Sequence, residues 1–201
     1  VFLTSTWRYT SIEPPVLEPV PGSDMLWNDI TQAATWAELD DLQIGLFPST
    51  KIDGVDPWSP SIEHDPAWWQ SWFDRYTEFL RHQAALAQQT GASAIILGDP
   101  GVAPAFPGGT LSDGSPSGVP EDAVARWVNL IEQVRGLYKG EILWAANAAD
   151  AQPPQEILTR VDRIYVLWSV PLSASMQLDP AAMAVEAGHQ LDQKVLPWVQ
   201  S

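Results

Sequence analysis

The sequence predicts an α/β fold built on a parallel sheet, and three observations carry that expectation. Five short apolar runs alternate with helical patterns along the chain. The runs lack polar alternation, which is the pattern of strands covered on both faces. Long connections follow the strands, over 10–22, 51–64 and 101–119, whereas helix-to-strand links are short, as at 90–93 and 139–140. Loops gathered at the C-terminal ends of strands belong to a barrel that carries its site there. Finally, neither GxGxxG nor GxxxxGK[ST] follows an early strand, which argues against a doubly wound nucleotide binder. The expected class is therefore the (β/α)8 TIM-barrel type. A complete barrel has eight strands and about 250 residues, so 201 residues predict an incomplete one of about five to six βα units.

The predicted strands span 1–4, 43–47, 94–97, 141–145 and 163–167, and 195–199 reads as the start of another. Asp24 or Ser23 is a candidate cap for a first helix through about Glu38, in which Leu26, Ile30, Ala33, Ala34 and Ala37 recur at helical spacing. The longest helix is written in "DPAWWQSWFDRYTEFLRHQAALAQQTG". Asp65 stands at its N-cap, Pro66 in its first turn and Gly91 just past its end. A third helix begins near Pro120 and is ended by Gly140, and two more are expected over 153–161 and 180–193. The chain reads as a single domain over 1–201. Its first residue is Val1 inside an apolar run, so the expectation is a segment of a longer parent chain, with at least one strand before Val1 and two after Ser201.

Charge narrows the partners. Ten Lys and Arg stand against 25 Asp and Glu, a net charge of -15 that repels phosphate backbones and argues against nucleic acid. No apolar run approaches the roughly 20 residues of a membrane span. With no Cys there is no disulfide, thiolate metal site or Cys nucleophile. Eleven Trp are the outlier. Large core side chains account for half or more of them in the plain reading, and a surface that stacks on sugar rings is the sharper one.

Residues at the strand ends form the candidate site. They are Trp7, Arg8 and Tyr9 after the first strand, Lys51 in "PSTK" after the second and Asp99 in "GDP" after the third. Asn147 follows the fourth and Trp168 the fifth. Together they offer hydrogen bonds to hydroxyls and flat faces for rings. Asp99 is the best single candidate for catalysis. The competing reading makes it a turn residue before Pro100 that accepts hydrogen bonds from the Gly101 loop.

"WRYTSIEPPVLEPVPG", "LQIGLFPST", "WWQSWFDRYTEFLRHQAALAQQTGASAIILG", "LIEQVRGLYKGEILWAANA" and "VDRIYVLWSVPLS" occur in this order. Together they resemble the second through sixth strand segments of clan-A glycoside hydrolase barrels. The pattern is most similar to the endo-β-mannanases of family 113, and more distantly to endo-β-galactanases. The resemblance implies an Asn-Glu pair at the end of the fourth strand, with the Glu as acid/base, and a nucleophilic Glu ending the seventh. Here Asp99 falls on the Asn and Pro100 on the Glu, and proline cannot move a proton through its side chain. The seventh strand would lie beyond Ser201.

Three functional readings follow. One is a catalytically degenerate glycoside hydrolase-like protein that still binds a poly- or oligosaccharide. Another is an active retaining β-glycanase in which a one-residue shift makes Asp99 the acid and the nucleophile lies outside the segment. The third is a structural or interaction domain on the same scaffold. Glu13 is a possible second carboxylate, although a solvated loop fits it as well. No metal or cofactor is expected, since His64, His82 and His189 are scattered and Ser112, Ser115 and Ser117 form no nucleophile elbow. Family habit implies an extracellular or cell-surface location.

Overall fold

The computed structural model describes residues 1–54, 56–147, 153–167, 172 and 179–196. Five strands form one parallel sheet: β1 (Phe2–Leu3), β4 (Gly45–Leu46), β6 (Ala94–Leu97), β7 (Glu141–Asn147) and β8 (Arg163–Leu167). They lie side by side in chain order, and every pairing is parallel. A doubly wound sheet would reverse its order part-way.

The two faces of this sheet are unlike. Leu46, Ile95, Leu97, Ile142, Trp144 and Ala146 join the core that the helices share. Ala94, Ile96, Leu143 and Ala145 form a separate cluster with Phe47, Tyr165 and Leu167, to which no described helix contributes. Phe2 of β1 and Tyr165 of β8 come from opposite edges of the sheet, yet their ring centroids are 5.5 Å apart. Phe47 closes on the same tyrosine at 6.0 Å. Only a strongly curled sheet brings its edges so near. Glycine at position 45 permits the approach, because a Cβ there would stand 2.4 Å from the Phe2 ring. The described strands thus form an open, incomplete barrel with its helices outside.

The first parallel pair runs on past the sheet. β2 (Thr6–Ile12) and β5 (Ser49–Ile52) pair in the same register as β1 and β4, after a break at Pro48, which has no N–H to give the ladder. β2 then turns back through a cis Glu13–Pro14 peptide into β3 (Pro15–Glu18), an antiparallel hairpin with an irregularity between Tyr9 and Ser11. Residues 10–22, expected as a plain loop, are therefore largely a hairpin. Pro15 is accommodated at the first position of an edge strand.

The helices are α1 (Trp27–Leu39), α2 (Pro66–Gln89), α3 (Ala123–Leu137), α4 (Gln155–Leu158) and α5 (Pro180–Gln190). α2 begins as its sequence announces: Asp65 accepts from Trp68 N at 2.7 Å, and Pro66 occupies the first turn. Gly91 follows its end at φ +67°. α1 does not. Its cap residue is Leu26, whose N–H goes to Asp29 at 2.8 Å, because Asp24 is taken by Arg8. Leu191–Val195 continues α5 as a helical turn, so Val195 does not open a strand, and 197–201 lie outside the described residues.

Tryptophan fills the layer between sheet and helices. Trp58, Trp68, Trp69, Trp72, Trp127 and Trp144 are all buried and touch one another ring to ring. Several also give their indole N–H to the backbone of another element: Trp58 to Gly101 O at 2.7 Å, Trp68 to Ile12 O at 2.8 Å and Trp127 to Ala105 O at 2.9 Å. A buried indole usually finds such a partner; the Trp69 N–H has none among the described residues. The plain reading of the tryptophan count holds for these six.

Candidate functional site

Parallel strands in a curled sheet point their C-terminal ends the same way, so β2, β5, β6 and β7 deliver their last residues to one rim. Strand alternation then decides which side chains look inward. Trp7 and Tyr9 look outward. The Trp7 ring packs on Phe79 and His82 of α2, at 5.3 and 5.1 Å, and the Tyr9 hydroxyl accepts the Trp72 indole N–H at 3.0 Å. Burial drives the Tyr9 phenol well above its ordinary pKa. Both rings, expected as rim contacts, serve the helix layer.

Arg8 lies between them and faces the other way. Its Nε meets both oxygens of Asp24, at 2.7 and 2.8 Å, and its Nη1 binds Asp53. Asp24 also accepts from Val20 N at 2.8 Å, and its side chain is only 1% exposed. Lys51, the register partner of Arg8, stands 3.7 Å from Asp53 and is largely exposed. The hydrogen bond that Arg8 donates to Asp53 holds the Asp53 carboxyl below the usual range, with smaller help from Lys51. Two cations and two carboxylates thus form one network along the rim.

Asp99 is pinned. Its Oδ2 accepts from Thr50 N at 2.5 Å and Thr50 Oγ1 at 2.8 Å, while Oδ1 accepts from Gly101 N at 3.0 Å. Those bonds cap the 3-10 helix over Pro100–Ala105 and clamp it to β5. The strand turns into this helix at Gly98, where φ is +79° and a Cβ would stand 2.4 Å from the Trp144 indole. Only glycine suits that position.

Asp99 and Asn147 line the same cavity at the ends of β6 and β7. It measures about 20 Å³, enough for roughly one water, and Ala103, Phe106, Trp144 and Pro153 close it. Trp168 lies outside the described residues. The structure therefore brings Asp99 and Asn147 together on one cavity. Arg8 and Lys51 stand on the pair of strands to which Asp99 is clamped. Asp24 and Asp53 complete the rim network and were not foreseen, because no local pattern announces a partner 16 or 45 residues away. Among the described residues no group of three His, Asp or Glu side chains is placed to hold a metal, and no helix is long and apolar enough to cross a membrane.

With this geometry in hand, solved structures give the fold its parallel. A GH113 β-mannanase, AaManA from Alicyclobacillus acidocaldarius, superposes with a TM-score of 0.60 at 20% identity, covering 83% of this chain and 49% of that one. A second GH113 β-1,4-mannanase, solved as a complex, gives 0.66 at 16% identity, covering 100% of this chain and 57% of the other. The fold is a glycoside hydrolase-like TIM barrel. The chain spans about half the length of these mannanases. No family model matches the sequence, and no curated protein is similar enough to count as a relative.

Proposed function

We propose that this chain is a carbohydrate-binding protein of the glycoside hydrolase type, with its glycan site at the rim and without hydrolytic turnover of its own. The engagement of Asp99 carries the reading. A general acid must aim an O–H at the leaving oxygen, and a second carboxylate must attack or activate water. Both oxygens of Asp99 instead face donors on Thr50 and Gly101, and its chain neighbour toward the rim is Pro100, which carries no proton. Arg8, Lys51 and Asn147 supply hydrogen bonds suited to sugar hydroxyls. Trp168 supplies a ring for stacking in the same reading. The bound partner is a poly- or oligosaccharide, in an extracellular or cell-surface setting, and further chain beyond these residues would complete the barrel.

Likeness to β-mannanases favours one second reading, an active retaining β-glycanase whose nucleophile lies on another segment. Titration calorimetry with manno- and galacto-oligosaccharides, run beside a reducing-end assay, separates the readings. Binding without turnover, weakened several-fold by Asn147→Ala, is the expected result. Turnover that vanishes in Asp99→Asn would make Asp99 the acid and overturn it. Absence of binding to any glycan would leave an interaction domain.

A further inference from the structure

One carboxylate of the rim network is engaged differently from the rest. β2 and β5 pair in the register of β1 and β4, so the alternation of side chains runs on through the break. Lys51 and Asp53 therefore continue the face on which Phe47 meets the lumen cluster. Arg8, the register partner of Lys51, shares that face. There Asp24 is fully engaged, by Arg8 Nε on both oxygens and by Val20 N, and is closed to solvent. Glu18, opposite Arg8 on β3, accepts from Thr10 at 2.7 Å and meets no cation among the described residues. Asp53 stands between two cations. Its Oδ2 binds Arg8 Nη1, its Oδ1 lies 3.7 Å from Lys51 Nζ, and the Asp53 and Lys51 side chains are 47% and 55% exposed. We propose that Asp53 and Lys51 form a clamp for a sugar hydroxyl, positioned by Arg8, and that the clamp selects neutral glycans over anionic ones. The clamp rests on the glycan reading of the rim.

A separation of 3.7 Å is too long for a hydrogen bond between the ammonium and the carboxylate. Donors on Lys51 and lone pairs on Asp53 therefore both remain for a ligand. A hydroxyl answers the two at once, because its oxygen accepts from Lys51 while its O–H donates to Asp53. Hydrogen bonds in which one partner is charged are shorter and stronger than neutral ones. A carboxylate or sulfate on the ligand has no proton to give. It would satisfy Lys51 and set a like charge against Asp53. The network cannot absorb that charge, since Arg8 and Lys51 already face Asp24, Asp53 and Glu18, and the chain as a whole carries -15.

Arg8 is a positioning residue in this arrangement. Asp53 follows the last residue of β5, so no ladder bond of that strand fixes it. The Arg8 guanidinium does. It is a rigid fork whose other edge is seated on buried Asp24, and only 12% of its side chain is exposed. Thr50, next to Lys51, is clamped to Asp99 and steadies the same strand. A clamp held in place before the ligand arrives loses little freedom on binding. The hydrogen bond from Arg8 also lowers the Asp53 pKa, which keeps the acceptor ionised below the pH at which an ordinary carboxylate takes a proton.

Calorimetry on the full chain tests the clamp, with manno- and galacto-oligosaccharides and with the same chains oxidised to carboxylates at C6. The neutral sugar should bind, and its oxidised counterpart roughly ten-fold more weakly or less. Lys51→Ala and Asp53→Ala should each weaken the neutral sugar by roughly five- to twenty-fold. The double variant should lose about as much as either single one, because one hydroxyl needs both partners. In Asp53→Asn, which keeps an oxygen and removes the charge, the gap between neutral and oxidised sugar should narrow. For Arg8 the readout is the carbon-13 signal of the Asp53 carboxyl. Its pKa should rise to the ordinary range in Arg8→Met while the indole N–H signals of the buried tryptophans stay in place, and Arg8→Lys should restore part of the shift. Neutral-sugar affinity unchanged in Lys51→Ala and Asp53→Ala, but weakened in Asn147→Ala, overturns the clamp and leaves the glycan reading standing. Losses that simply add, or a gap that Asp53→Asn leaves unchanged, overturn the shared hydroxyl and the selectivity respectively. An Asp53 pKa unmoved in Arg8→Met overturns the positioning role. No binding of any glycan overturns clamp and glycan reading together.

Discussion

The helix-facing and lumen-facing sides of the sheet are built on different principles. On the outside, aromatic rings interlock from Trp58 through Trp72 and Trp127 to Trp144. On the inside, Ala94, Ile96, Leu143 and Ala145 present small or slender side chains, and Phe47, Tyr165 and Leu167 remain partly exposed. Close packing of large rings is where stability concentrates. Residues that could meet a ligand stand at the rim of the thinner face, held by hydrogen bonds and ion pairs. In the function proposed above, stability and recognition would thus be separated across one layer of backbone.

The largest test of that separation is a matched pair of truncations. Trp127 is 0% exposed, donates to Ala105 O and touches Trp72, Phe73, Tyr76, Phe106 and Trp144. Trp127→Ala should cost about 3–5 kcal/mol in urea denaturation. Tyr165→Ala, on the lumen side, should cost less, about 1–2 kcal/mol, since its ring is already partly solvated and packs on the slender cluster of Ala94, Ile96, Leu143 and Ala145 with Phe2 and Phe47 at its edges. Comparable losses would mean that the lumen carries as much of the fold as the helix layer.

Much of this architecture was legible in the sequence. The main-sheet strands are apolar runs, and hydrophobic burial on both faces dictates such runs. Asp65, Pro66 and Gly91 mark α2 because cap chemistry is local. What escaped is what depends on distant partners. The hairpin was hidden by Pro14 and Pro15, although Trp7 and Tyr9 already alternate with Arg8 and Thr10 as a strand should. Asp24 has the chemistry of a cap, and only the fold reveals Arg8 as its competitor. Rim position could be read from strand ends, but facing could not: shifting by one residue turns Trp7 from lumen to helix layer.

A smaller effect of opposite sign tests the helix layer from within. Gln83 on α2 is 0% exposed, and neither amide atom meets a hydrogen-bond partner among the described residues. A buried amide left without partners costs about 1–3 kcal/mol. Gln83→Leu keeps much of the volume and removes that cost, so it should stabilise the chain by about 1 kcal/mol. A loss of stability instead would mean that bound water satisfies the amide, and that the outer layer is less dry than its tryptophans indicate.

The smallest expected effect lies where an ion pair joins the two layers at the N-terminal end of the sheet. Asp162 accepts from Arg135 of α3 at 2.8 Å and from Ile142 N of β7 at 2.8 Å. Its hydrogen bond to Arg135 is the main cause that holds its carboxyl below the ordinary range, and burial opposes it. A carboxyl whose folded pKa is depressed stabilises the fold above the unfolded value, and that contribution is lost as pH falls through the folded one. The two side chains are 41% and 39% exposed, so solvent screens the pair and the net worth is about 0.5 kcal/mol. Asp162→Asn should therefore lower stability by about that much near pH 7, less in high salt. The difference from the native chain should shrink as the pH is taken from about 5 towards 3, through the ordinary carboxylate range. A difference that stayed constant over that interval would assign the role of Asp162 to its bond with Ile142 N, which an amide oxygen at that position would then be failing to replace.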